Sequence, residues 1–271
     1  MRTEEENRLV FRATHRGAGR RLIVTPENSP MRHLRYGRIT LDETVQHVAF
    51  DTGACETGLI CLSGSGAVRV RDQAHELSRY DAIYIPRGAR VEVAARESAD
   101  FIECAAPVEG DYPLQVVRLA DVKGDESLHF STGGPGSRRA VTILIGKNVK
   151  AGRLLAGFTR SEPGNWTSWP PHEHAEMLEE IYVFYDMPTP SFGVQFVFSD
   201  PTEPDFAGAV REGDAVLMPR GYHPNVAIPG YPINFVWIMA AHREVEYRQY
   251  GVVNIHPDFA GAASGLEASR R

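Results

Sequence analysis

Short runs of β-branched and aromatic residues recur along this chain, each closed within a few positions by glycine, proline or aspartate. Ala67-Val68-Arg69-Val70, Val141-Thr142-Ile143-Leu144-Ile145, Val194-Gln195-Phe196-Val197-Phe198 and Phe235-Val236-Trp237-Ile238-Met239 are of this kind. Runs of this length and spacing predict the strands of an all-β sandwich or barrel, and stretches with a helical period are scarce. Two segments repeat one another. Tyr80-Asp81-Ala82-Ile83-Tyr84-Ile85-Pro86-Arg87-Gly88-Ala89-Arg90 matches Gly213-Asp214-Ala215-Val216-Leu217-Met218-Pro219-Arg220-Gly221-Tyr222-His223, with Arg90 standing where the second copy has His223. Upstream, the apolar run that opens at Glu56 plays the part of the one that opens at Glu180. The pattern predicts a duplicated chain of two small β-barrels packed together. Residues 107–113 and 133–139 have loop chemistry, and the boundary is placed between them: residues 1–125 form the first barrel and residues 126–271 the second.

Composition narrows the function. The chain has 271 residues and a net charge of −6, with no dense run of lysine and arginine, so neither nucleic acid nor an anionic membrane is expected as partner. A small molecule is. No segment approaches the roughly 18 consecutive apolar residues that cross a bilayer. The acidic start, Met1-Arg2-Thr3-Glu4-Glu5-Glu6, is unlike a signal peptide, and a cytoplasmic location is expected. Cys55, Cys61 and Cys104 are few, odd in number and mostly in apolar runs, which predicts reduced thiols in place of a disulfide framework.

The densest chemistry lies at Pro171-His172-Glu173-His174, followed by Glu179, Glu180 and Tyr182. On an extended strand His172 and His174 project to the same face, because side chains alternate with a period of two. A carboxylate a short turn later and one imidazole from a distant strand complete a nitrogen and oxygen set suited to a divalent transition metal. His223 is that imidazole. It follows a short apolar strand that Pro219 ends and a bend that Gly221 permits. One metal ion per chain is expected, in the second barrel only, with Zn placed first and Mn, Fe, Co and Ni as the other candidates.

These residues resemble the cupin metal motifs, H-x-H followed by Glu and a separate strand corner carrying His. More narrowly, Pro163-Gly164-Asn165-Trp166-Thr167-Ser168-Trp169-Pro170-Pro171-His172-Glu173-His174 and Gly221-Tyr222-His223-Pro224 are similar to the 5-deoxy-glucuronate isomerases of inositol catabolism. The N-terminal half fits as well, through Gly17-Ala18-Gly19-Arg20 and Thr25-Pro26-Glu27, so the resemblance covers most of the chain. One departure is the short interval between His174 and Glu179, which is similar to the sister family, the 5-keto-4-deoxyuronate isomerases of pectin breakdown. The resemblance implies a duplicated cupin, or bicupin, and a metal-dependent aldose–ketose isomerase of a deoxy-uronic acid. The 5-deoxy-glucuronate reaction is preferred and the 5-keto-4-deoxyuronate reaction is the alternative. A non-isomerase bicupin, either an iron dioxygenase or a sugar-acid binding module, is the further alternative. By analogy with cupins generally, a homo-oligomer is expected.

Such a reaction moves a proton between adjacent carbons. A metal chelating the two neighbouring oxygens stabilises the charge that develops there, and a group of tuned pKa carries the proton. Counting back from the turn at Asp186 favours Glu180 as ligand; counting forward from His174 with the commonest cupin spacing favours Glu179. Glu180 is preferred, and its neighbour must then point away. Candidates for the proton carrier are Glu179, Tyr182, Tyr222 and His242. A substrate carboxylate calls for a bidentate arginine, for which Arg160 and Arg220 are candidates, with Gln195 as a hydrogen-bonding group of the pocket.

Overall fold

In the computed structural model, which describes residues 9–261, the turn-bounded apolar runs become strands in two sheet systems; the acidic N-terminus discussed above lies outside the described residues. The first system is a nine-stranded sheet. Its main path runs Gln115–Val117, Ala82–Ile85, Cys55–Val70, Ala99–Pro107, Arg35–Leu41 and Gly19–Val24. The 16-residue strand Cys55–Val70 bends across this barrel: its first half pairs with Ala82–Ile85 and Ala99–Pro107, its second half with Gln73–Ser78 and Arg90–Ala94. The interior is filled by aliphatic and aromatic side chains, among them Ile39, Leu59, Val68, Ile83, Val93 and Phe101.

The second system is a seven-stranded sheet ordered Val10–Phe11, Ala215–Met218, Leu178–Phe184, Asn234–Ala241, Leu154–Ser161, Arg139–Ile145 and His129–Thr132. A four-stranded sheet and the short pair His172–Glu173 with Asn254–Ile255 complete this barrel. The short helix Leu119–Lys123 lies between the two systems. Val10–Phe11, within the residues assigned to the first barrel from sequence, pairs with Ala215–Met218 of the second. Arg12 and the Ala13 amide anchor this strap on Asp214.

Strands Leu178–Phe184 and Asn234–Ala241 are buried at every position, which is why they read as continuous apolar runs. Glu180, Tyr182, Phe235 and Trp237 face a pocket in the second barrel. The intervening Ile181, Val183, Val236 and Ile238 join a single apolar cluster with Ile60, Tyr84 and Ile102 of the first. The barrels approach so closely that a Cβ added to Gly58 would lie 2.8 Å from Ile145 Cδ1 and from Cys104 Sγ.

Two buried carboxylates staple this contact reciprocally. Glu179 accepts the backbone N–H groups of Arg32 (2.6 Å), His33 (2.7 Å) and Leu34 (2.6 Å), at the entry to Arg35–Leu41 of the first barrel. Glu56 accepts those of Gly152 (2.7 Å), Arg153 (2.6 Å) and Leu154 (2.8 Å), at the entry to Leu154–Ser161 of the second. Strand register makes these two residues equivalents. Thr57 pairs with Ile85 as Glu180 pairs with Met218, so Glu56 corresponds to Glu179 and not, as the sequence comparison had it, to Glu180. A slip of one residue changes the face of every side chain.

The three cysteines are free thiols, with Cys61 and Cys104 buried. Among the described residues no helix is long and apolar enough to cross a membrane.

Candidate active site

The pocket of the second barrel is lined by His172, His174, Glu180 and Tyr182 and walled by Phe235, Trp237 and Tyr250. Three elements bring its imidazoles and carboxylate together. His172 sits on the short strand paired with Asn254–Ile255. His174 follows at the head of a tight turn, its carbonyl accepting the N–H groups of Met177 (2.9 Å) and Leu178 (2.8 Å). That turn accounts for the brief interval before Glu179, and the strand that leaves it alternates Leu178, Glu180 and Tyr182 onto the pocket wall. His223 arrives from the corner after Ala215–Met218, where Gly221 takes φ +91° and a Cβ would lie 2.9 Å from the Phe198 carbonyl oxygen.

All three imidazoles are oriented from behind. The Nδ1 of His172 bonds the Pro170 carbonyl (2.9 Å), that of His174 the Leu178 carbonyl (3.1 Å) and that of His223 the Gly221 carbonyl (2.9 Å). A proton held on Nδ1 by a carbonyl leaves Nε2 as the ligating atom. The donor atoms of His174, Glu180 and His223 lie within 4.8 Å of one another, with His174 Nε2 3.0 Å and His223 Nε2 3.2 Å from Glu180 Oε2. The His172 ring stands 5.0 Å from that of His223, centroid to centroid. His223 Nε2 is buried and, despite that short distance, not aligned in a hydrogen bond. Mixed nitrogen and oxygen donors, fixed tautomers and an orphaned buried nitrogen fit a divalent metal ion.

Electrostatics agree with this use. Burial works to raise the Glu180 carboxyl, but the His174 and His223 imidazoles outweigh it and bring its pKa down to about 2. Burial opposes protonation of His174, and the hydrogen bond and charge of Glu180 overcome it, so its pKa lies above the usual value. His172 is pushed down to about 3 by burial and by His223 beside it. Tyr182 is raised well above the ordinary phenol by burial and by the Glu180 charge, and its hydroxyl is 2.7 Å from that of Ser168. Its neutral phenol faces the pocket.

The remaining candidates from sequence fall elsewhere. Glu179, wholly buried, points into the contact between the barrels, because it neighbours an inward-facing residue on the same strand. His242 follows Ala241 out of the same sheet and is half-buried, its ring 5.7 Å from that of His33, with burial lowering its pKa. Tyr222 packs on His256 (4.7 Å) and Phe198 (5.7 Å) behind the corner and does not line the pocket. Arg160 alternates outward from Thr159 and lies 3.4 Å from the partly exposed Asp186. Arg220 has a side chain 65% exposed and lies 3.9 Å from Asp205. Gln195 is buried behind the corner, donating to the His223 carbonyl (2.9 Å) while accepting from Asn225 (3.0 Å); it braces His223 and does not line the pocket.

Sequence reasoning passed over one group. Arg139 lines the pocket at 4% exposure, donating to the carbonyls of Ser137 and Trp169 at 3.0 Å each. Its alternation with Val141, which also faces inward, was a usable signal, masked by the glycine-rich loop just before it.

Paired β-barrels, the second bringing His172, His174, His223 and Glu180 together, are the architecture of the bicupins. Solved structures carry the same fold. An IolB-like protein of Salmonella typhimurium LT2 superposes with a TM-score of 0.82 at 22% identity, covering 93% of this chain and 98% of that one. An oxalate decarboxylase of Bacillus subtilis superposes with a TM-score of 0.62 at 14% identity, covering 85% and 76%. The chain belongs to the KduI/IolB family, whose model matches residues 9–257. Among curated relatives, the 5-deoxy-glucuronate isomerase of Geobacillus thermodenitrificans is 30% identical, over 80% of this chain and 83% of its own length. That of Lacticaseibacillus casei is 28% identical over 84% and 89%.

Proposed function

We propose that this chain, an isomerase by family, interconverts the aldose and ketose forms of a deoxy-uronic acid, with 5-deoxy-glucuronate as its substrate and inositol catabolism as its setting. The observation that carries this reading is the trio of imidazoles tied by Nδ1 to backbone carbonyls around Glu180, in a pocket that also holds Tyr182. A divalent metal held by His172, His174, Glu180 and His223 would supply Lewis acidity at the two adjacent oxygens of the substrate; zinc suits the donor set. The carbonyls behind the imidazoles keep the ligating nitrogens in place. Trp237, Phe235 and Met239 wall the pocket with apolar surface and limit competing water. Tyr182 starts with its proton on the phenolic oxygen, 2.7 Å from Ser168, and is the proposed proton carrier: it would give that proton to the aldehyde oxygen and, as phenolate, take the proton from C2, then protonate C1 as the C2 hydroxyl hands its proton back.

One observation favours a second route for the hydrogen. Glu180 is the only carboxylate among the described residues lining the pocket, and the imidazoles already engage it. A shift of hydrogen with its electron pair from C2 to C1 would need no base at all. Metal-replete protein incubated with 5-deoxy-glucuronate in deuterated water, and followed by NMR, tests both levels. Deuterium at C1 of the product supports the proton carrier; its absence supports the direct shift. Absence of turnover, or an absolute need for oxygen or a nicotinamide, ends the isomerase reading. Parallel incubation with 5-keto-4-deoxyuronate tests the substrate assignment.

A further inference from the structure

We infer that Tyr250 hydrogen-bonds a hydroxyl of the substrate outside the reacting pair of carbons, and so reads the hydroxyl pattern of the acid. This rests on the isomerase reading for the identity of the substrate. Tyr250 lines the same pocket as Glu180 and Tyr182, and it comes from the chain between Asn234–Ala241 and the short strand Asn254–Ile255. The sheet beneath it sets its position. Tyr182 pairs with Trp237 on the neighbouring strand, and Trp237 with Gly157 on the next. A Cβ on Gly157 would lie 2.3 Å from Cζ2 of the Trp237 indole, so the glycine leaves the room that the indole fills. Tyr250 stacks on that indole, with ring centroids 5.0 Å apart and planes 28° from parallel.

The hydroxyl is the part left without a partner. Among the described residues it makes no hydrogen bond, whereas the Tyr182 hydroxyl is 2.7 Å from that of Ser168. Tyr250 also borders a second cavity, with Arg248 and Lys147, so the side its hydroxyl serves has to be established. Burial raises the phenol, the Glu180 charge raises it further and Arg139 works against them; neither Arg248 nor Lys147 acts on it. Glu180 and Arg139 both line the first pocket, and the hydroxyl belongs on that side. A buried hydroxyl left unpaired costs stability, and a ligand oxygen supplies what the protein does not. The two reacting oxygens are those a metal would chelate and Tyr182 would serve. The hydroxyls on C3 and C4 are then the ones left for Tyr250. With no neighbour such as Ser168 to steady an anion, Tyr250 gives a hydrogen bond and carries no proton. A site built to bond a hydroxyl discriminates against the analogue that lacks it, and a 4-deoxyuronate lacks the one on C4.

The test uses metal-replete full-length protein and a probe that cannot isomerise, the acid made by reducing the aldehyde of 5-deoxy-glucuronate to an alcohol, with its 3-deoxy and 4-deoxy analogues. Tyr250→Phe keeps the ring on Trp237 and removes only the hydroxyl, so its melting temperature should match wild type. In calorimetry it should bind the reduced acid about 2- to 10-fold more weakly, the range for one neutral hydrogen bond. One of the two deoxy analogues should bind wild-type protein more weakly by a similar factor and lose nothing further in Tyr250→Phe, as expected when both changes delete one contact. In turnover the variant should raise KM and leave kcat within a few-fold. Equal binding of the reduced acid by both proteins overturns the inference, as do additive losses for both analogues or a loss confined to kcat. If wild-type protein shows the Tyr250 dependence without turning over 5-deoxy-glucuronate, the isomerase reading falls and the contact stands; turnover with equal binding removes the contact alone.

Discussion

Removing the Glu179 carboxylate should destabilise the protein severely while sparing the metal site. The side chain is wholly buried and accepts three consecutive backbone N–H groups of the other barrel at 2.6–2.7 Å. In Glu179→Ala all three donors lose their acceptor. The Leu34 amide is fully buried and has no route to water, whereas those of Arg32 and His33 are only partly buried, so the cost should stop short of three full charged bonds. Truncating one side of a buried charged arrangement typically costs about 3–5 kcal/mol, a large share of the roughly 5–15 kcal/mol that holds a domain folded. Urea unfolding should show that loss as a lower midpoint. Because the carboxylate faces away from His174, His223 and Glu180, protein kept below its new transition should hold about one metal equivalent per chain and turn over near the wild-type rate. Glu56→Ala should behave alike. A Glu179→Ala variant of wild-type stability that has lost activity would show that this carboxylate belongs to the chemistry and that the staple has been misread.

Glu180→Gln or His223→Ala should remove most of the bound metal, measured by elemental analysis of protein purified without chelators; full occupancy in either would displace the proposed ligand set. Gln195→Ala, which frees the His223 carbonyl from its brace, should weaken metal affinity by about 10- to 100-fold in a competition titration with a chromogenic chelator, and unchanged affinity would reduce Gln195 to filler. Arg160→Ala and Arg220→Ala should change stability by no more than about 0.5 kcal/mol and leave KM for the uronate as it is; a large rise in KM for either would make that arginine a substrate contact. Residues 126–271 expressed alone should not give a soluble folded barrel, since Ile181, Val183, Val236 and Ile238 would lose their cover and the Val10–Phe11 strand would be missing; a monomeric, metal-loaded fragment would contradict this.

What the sequence made legible was chemistry carried by spacing. His172 and His174 are two apart, His223 follows a proline-ended strand and a glycine bend, and the repeat around Pro86-Arg87-Gly88 and Pro219-Arg220-Gly221 exposes the duplication. Register was harder. Glu179 and Glu180 are adjacent and identical in type, and only the pairing of Thr57 with Ile85 and of Glu180 with Met218 shows which of them the first barrel repeats. Arg139 was harder still, because an arginine has no spacing signature and its role depends on a wall built from strands far apart in sequence. Tyr222 and His242 lie outside the residues that line the pocket for a related reason: one sits in the corner beyond Met218 and the other just past the strand end Ala241, where alternation no longer says which way a side chain points.

The corrected register shows what the first barrel carries in place of the proposed ligands. In the first barrel Thr57 occupies the position of Glu180, Leu59 that of Tyr182 and Arg90 that of His223. Leu59 is buried in the aliphatic core, while Arg90 lies exposed beside Asp51. Among the described residues, the one group of side chains gathered as metal donors is His174, Glu180 and His223 of the second barrel. What both copies retain is the outward carboxylate, Glu56 or Glu179, that grips the strand entry of the other. Each glutamate costs desolvation that the opposing amides offset, with the Tyr84 hydroxyl of its own barrel as a further donor to Glu56. The strand that presents Glu180 to the pocket thus has its back face fixed by the other barrel, which would hold the proposed ligands in one geometry.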